Sequence, residues 1–583
     1  MKSKWLGKTG KITGYTLAGV VLAVIFLGGM LHTSPVQGFI ARKASAFASR
    51  FMECEVKVGK LDINLLKRTV TLRDVEVFDC RNNRTVFVRE GMATLKSYDF
   101  STPAISSAVL YGPQIRINRY KGDTISDFKR VIMKISALPK KDTALRKAFV
   151  IERARIVDGM FTYDDWNVKP LPSDHIDYKH VGLDGISAEA AGFYSRCGKV
   201  MVKVKHVECN ERTGFRVDDF SSFLYVDNGE LKFTAAHLKT PQSKVDLDLR
   251  LKGESWLHFN DFIDNVHMDA DVFPSEVAIS DLGHFVPVLR GMPQKVGVDG
   301  RLKGTVGDMD LKGLHLNTGE GTSLDADFTL RGLPRIEDGY LDLRLRDLRV
   351  ESADLRGMVL PNGKSLELPG MLKNLRQAQA SGSFSGDRRQ FFTDLDIRTN
   401  LGDVKIENAA RDTANVGEFM AGHVRASGVR LGELFQDSLF GTVSLDAEFR
   451  LRGYEASTLN CHFQGNVSDL EIDRKVVKLI PFHIDWQRDS LRADVACADP
   501  DLDFTLEGIR KKVGDTAWLR CESDVRNIDL KPLRLLGDTG SFTVKSHIRI
   551  DNKALRGKTM QGILMLDGTE IHRLGQDYRL ACL

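Results

Sequence analysis

From about residue 53 onward, apolar and polar residues take turns along the chain. In "VDLDLRLKG", ending at Gly253, the apolar residues Val245, Leu247, Leu249 and Leu251 are separated by single polar ones, and "TVTLRDVEVFD" and "QIRINRY" follow the same rule. A period of two puts every apolar side chain on one face of a β-strand and every charged one on the other. Helical periodicity is sparse, so the chain is expected to be mainly β, and its single apolar face must be covered by something.

One phrase is written twice. "SLDADFTLRGL" at 323–333 and "SLDAEFRLRGY" at 444–454 share eight of eleven residues. Leu324, Ala326, Phe328 and Leu330 in the first answer to Leu445, Ala447, Phe449 and Leu451 in the second. Related phrases close on Gly253, Gly304 and Gly508, as the copies do on Gly332 and Gly453, and glycine there is expected to open a turn or bulge. A longer unit of strand, short helical turn and strand pair recurs near 277–333, 428–508 and 527–583. It aligns Val443, Leu445 and Phe449 with Phe542, Val544 and Ile548. Degenerate repeats of this kind are expected to add β-units along one axis, each touching its neighbours. The predicted body, residues 149–583, is therefore an elongated, repetitive antiparallel sheet curled into a groove, with a few short helices. The residues named in this and the preceding paragraph, the glycines excepted, are expected to line it. A string of β-sandwiches is the competing architecture, but it calls for linkers that the sequence does not contain.

The N-terminus reads differently. Residues 12–31, "ITGYTLAGVVLAVIFLGGML", hold 20 positions without a charge, enough for a helix to span about 30 Å of hydrocarbon. Lys2, Lys4, Lys8 and Lys11 precede the run, so residues 1–11 are expected in the cytoplasm and the bulk of the chain across the membrane. The small-residue triplet "ASA" at 44–46 lies too far beyond the apolar run for a signal-peptide cleavage site, which favours a retained anchor. An amphipathic helix is predicted over 34–52, with Ser34, Pro35 and Gln37 as its start. Its stripe of Val36, Phe39, Ile40, Phe47 and Phe51 has two possible placements, on the outer leaflet or against the end of the β-body. Residues 53–137 are expected to form a first β-module ending in a short helix at 126–137, before the polar stretch "PKKDTALRK".

Chemistry is hard to find. The motifs of zinc proteases, serine hydrolases, dinucleotide-binding folds and calcium loops are missing, and "GKT" at 557–559 lacks the first glycine of a phosphate loop. The 14 histidines are dispersed, with no two at ligand spacing on one element. Eight cysteines form no CxxC pair and read as small buried residues. Asp164 and Asp165 in "FTYDDW" read as part of a solvated strand face. A net charge of +5, with basic and acidic residues interspersed, argues against nucleic acid as a partner. The expectation is a non-enzymatic chain without a cofactor or metal.

The stretches "VKVGKLDINLLKRTVTLRDVEVFD" from Val56, "IVDGMFTYDD" from Ile156, "HIDYKHVGLDGI" from His175 and "SLDADFTLRGLPRI" from Ser323 resemble the AsmA-like superfamily, in its TamB (translocation and assembly module) branch. The resemblance implies an inner-membrane-anchored, periplasmic protein whose β-groove carries phospholipid acyl chains towards the outer membrane. It also implies an alternative role in assembling or secreting outer-membrane proteins with a barrel partner of the TamA type, in which strand edges rather than a groove make the contact. The branch's C-terminal domain has no counterpart before the final "DYRLACL", so a short or truncated member is expected.

Overall fold

The computed structural model describes residues 34–582, except 98–103, 129–147, 334–338, 367–372, 413–418, 453–459, 530–541 and interruptions of one to four residues. The predicted membrane span at 12–31 and most of the predicted helix at 126–137 lie outside these residues. Among the described residues, no helix is long and apolar enough to cross a membrane.

Alternation has its expected result. The described strands belong to one open, mostly antiparallel sheet of 29, accompanied by five short α-helices. The chain divides into two compact units, Met1–Thr305 with Pro361–Gly363 and Val306–Leu360 with Lys364–Leu583.

The first unit opens on the helix Ser34–Met52, packed against the strand Val56–Asn64. Both the Ser49 and Ser45 hydroxyls accept from that strand's backbone, from Val56 N–H at 2.9 Å and Val58 N–H at 3.0 Å. Gln37 donates to the Asp62 carboxylate at 3.3 Å instead of serving the helix start. With buried Ala41, these residues form a stripe at 37, 41, 45 and 49, four apart and therefore on one helix face. The helix thus covers the outer edge of the first strand with small and polar residues, while Phe39 of the apolar stripe stays 55% exposed. Further along, Ala104–Arg119 and Phe149–Asp165 pair in parallel, a departure from the all-antiparallel expectation. A parallel pair needs a crossover rather than a hairpin, and residues 120–148 supply it. At the end of the second of these strands Asp165 is buried, not solvated as expected, and bonds to Arg119 and Asn167.

In the second unit each strand pairs antiparallel with the next, from Asp308–Thr318 to Gln576–Cys582. Register shifts interrupt most pairs, for instance at Leu311/Leu314, Leu345/Leu348 and Glu407/Ala410. Each such bulge bends its strand and increases the local twist. Short helices Ser352–Arg356 and Leu431–Phe435 follow strands four apart that run in the same direction, so both sit on one rim of this unit. The second of these was legible in the repeat, as was Ile279–Leu282 in the first unit. The third expected turn falls within 530–541, outside the described residues. Gly304 and Gly332 take the positive φ expected of them, 118° and 88°, but Gly508 lies inside the strand Leu502–Val513 and turns nothing.

Candidate functional site: an apolar track across the second unit

The strand register answers why one phrase is written twice. Ala326 pairs with Leu345, which pairs with Gly382, then Leu395, Ile406, Val424 and Ala447. From Ala447 the same line continues through Gly465, Phe482, Val495 and Leu506. Beside it, Leu324 leads by way of Leu348, Ala380, Ile397, Val404 and Ala426 to Leu445, and on to Val467 and Ile480. Corresponding residues of the two phrases therefore stand in the same transverse rows, six strands apart. Because successive side chains of a strand point to opposite faces, each row lies wholly on one face.

That face opens into a cleft of about 720 Å³, lined only by apolar residues from seven neighbouring strands and by Leu431 of the rim helix. Val443, Leu445 and Ala447, all expected liners, form part of its wall. Phe482, Val495, Leu502 and Phe504 were not singled out, although "PFHIDW" and "LDFTLEG" alternate as regularly as the repeated phrase. Leu431 had no period-two signal because it sits on a helix. Beneath the cleft Val477, Ile480 and Cys497 form a buried cluster, and burial pushes the Cys497 thiol above its ordinary range. Cys54 and Cys461 are buried too, as expected of packing residues, whereas Cys209 and Cys521 are half-buried and Cys197, at a turn, is exposed, against that expectation.

The other expected liners are distributed as follows. Ala326 and Phe449 are buried; Leu324, Phe328, Leu330, Leu451, Val544 and Ile548 are half-buried on the same face. Phe449 pairs with Phe463, their rings 6.4 Å apart. Ile548 pairs with Ser523, a polar step in the first row. The side chain of Phe542 lies outside the described residues. Within the first unit, Leu249 stands in a separate row with Leu224, Phe233, Ala270 and Leu302. Leu247 and Leu251 stand in the rows on either side, and Val245 faces Leu238.

In each unit the face opposite the apolar rows carries the charges. Arg346 and Asp327 pair there at 2.6 Å and Arg520 with Asp551 at 3.0 Å, and Arg301 pairs with Asp271. Some of its aspartates do more than meet water. The bulge residues Ala235, Gly313 and Asn408 all have positive φ, and their N–H groups donate to Asp248, Asp327 and Asp394 of the neighbouring strand. The Gly313 N–H, with the Arg346 guanidinium, holds the Asp327 carboxyl below the ordinary carboxylate range.

Fold and site together define a long, nearly all-β protein built on one extended, mostly antiparallel sheet, with a continuous apolar track on one face of its second unit. No family model, curated protein or solved structure matches the chain.

Proposed function

We propose that the chain is a membrane-anchored, non-enzymatic lipid conduit of the envelope, similar to the TamB branch of AsmA-like proteins, whose apolar track holds phospholipid acyl chains as they pass towards the outer membrane. The observation that carries this reading is the 720 Å³ cleft lined without a single polar residue. An open apolar cleft of ligand-site size is costly in water and is stabilised by an apolar guest. Each methylene transferred into it contributes about 0.8 kcal/mol, so a dozen contribute roughly 10 kcal/mol before ordering costs. Rows that continue past the cleft as far as Ala326 and Leu324 suit a guest that slides, because successive positions offer similar surface. The uncharged run at 12–31 supplies the anchor and the lysines before it set the orientation, with residues 1–11 cytoplasmic and the β-body periplasmic.

The test is the phospholipid retained by the full chain after detergent extraction. Leu445→Asp with Phe482→Asp places two carboxylates in the cleft and is expected to lower bound phospholipid at least fivefold at unchanged β-sheet circular dichroism. Equal lipid content in the folded variant and the parent would sink the proposal. The alternative role, handling unfolded outer-membrane strands by edge pairing with a TamA-type partner, predicts that indifference.

A further inference from the structure

On the charged face, directly behind the cleft wall, two strands bring together three side chains that sequence spacing had kept apart. His483 and Asp485 lie two residues apart on Lys475–Gln487, and the register sets His462 of Asn460–Ile472 opposite Asp485. His462 Nδ1 lies 2.7 Å from one oxygen of Asp485, and His483 Nε2 lies 2.9 Å from the other. The two imidazole rings meet edge to face, their centroids 4.5 Å apart. All three potential ligand atoms fall within 4.8 Å of one another, and about a third of each side chain is open to solvent.

Other histidines are arranged differently. His237 with Asp246 and His315 with Asp325 each bring one imidazole to one carboxylate, and His547 lies between Asp524 and Glu522. Among the described residues, only the 462/483/485 cluster brings three possible ligand atoms all within 4.8 Å of one another. Two neutral imidazoles and a carboxylate make a donor set suited to zinc and similar first-row divalent ions, with water completing the coordination. Of the two arginines in register with the cluster, Arg492, opposite Asp485, pairs with Asp494 at 3.2 Å, and Arg450 stands opposite His462.

We propose that His462, His483 and Asp485 bind a zinc-type divalent cation that staples two adjacent strands behind the cleft. Phe463 and Ile484, the chain neighbours of two of the ligands, are cleft-wall residues. The ion would therefore fix the wall from its solvent side.

The experiment uses the full chain in detergent, stripped of metal and titrated with Co²⁺, then with Zn²⁺ as competitor. One saturable Co²⁺ site with visible d–d bands, displaced by Zn²⁺, is expected. His462→Gln, His483→Gln and Asp485→Asn should each weaken binding at least tenfold, while His315→Gln leaves it unchanged. X-ray absorption on the zinc-loaded parent protein, which does not depend on any variant folding, should place two imidazoles in the first coordination shell. The absence of saturable binding, affinity that survives the three substitutions, equal sensitivity to His315→Gln, or fewer than two imidazoles on the zinc would each overturn the proposal.

Discussion

Asp327 shows what a single residue of the repeated phrase contributes. Alternation identifies it correctly as facing away from the apolar rows, and from that one would expect a replaceable solvent-facing charge. Its carboxylate instead accepts from the N–H of Gly313 at 2.6 Å and from Arg346 at 2.6 Å, closing a bulge on the strand before it. Removing it leaves the bulge N–H without its acceptor, and Asp327→Ala is expected to cost about 1–2 kcal/mol at neutral pH. The sign of its pH dependence follows from the depressed folded-state pKa. Its stabilisation is complete above the unfolded-state value of about 4 and is lost as pH falls through the lower folded-state value. Urea unfolding at pH 7 and pH 3 should therefore show a smaller acid loss in Asp327→Ala than in the parent. An identical acid loss in the two would refute this role. The bulge has a mark in the sequence, where the alternation Met309, Leu311 slips by one residue at Gly313 to Leu314, Leu316, but the aspartate that holds it lies on another strand and register alone identifies it.

At the level of elements, the N-terminal helix is legible in the sequence, but the residues that bond it to the first strand are not. Helical spacing draws attention to the apolar stripe, whereas the described contacts to the first strand come from Gln37, Ser45 and Ser49, beside buried Ala41. The helix's task is to supply hydrogen-bond acceptors to an unpaired strand edge, and greasy residues have none. Serine-to-alanine changes at 45 and 49 should leave Val56 and Val58 N–H without partners. Native-state hydrogen exchange at these two amides is expected to speed up at least tenfold, and the uncovered edge should increase self-association in size-exclusion chromatography. Unchanged exchange at both amides would remove the edge-covering role. The placement also leaves Phe39 exposed on the helix that follows the predicted membrane span, so packing on the body and contact with a lipid surface need not compete for the same face.

Across the whole molecule, the class of fold and the existence of an apolar face were legible because a period of two permits little else. The transverse rows were not, since a row is defined by register, and register depends on bulges and turn lengths that one strand does not encode. For the same reason the repeat pointed to Leu445 and Ala447 but not to Phe482, which completes the cleft from a strand with no copy of the phrase, and the related phrase that holds Phe504 gave no sign that it stands beside them. The metal ligands escaped notice similarly, with 21 positions separating His462 from His483 in sequence and one strand spacing in the sheet. The central claim is that lipid travels on the apolar rows and not on the charged face one residue away. It is tested most directly by placing a photoactivatable amino acid at Phe463 and, separately, at its chain neighbour Gln464, and irradiating membranes that contain the full chain. Crosslinks to phospholipid from position 463 and none from 464 are the expected result; equal lipid labelling from both, or crosslinks from 463 to polypeptide alone, would contradict the account.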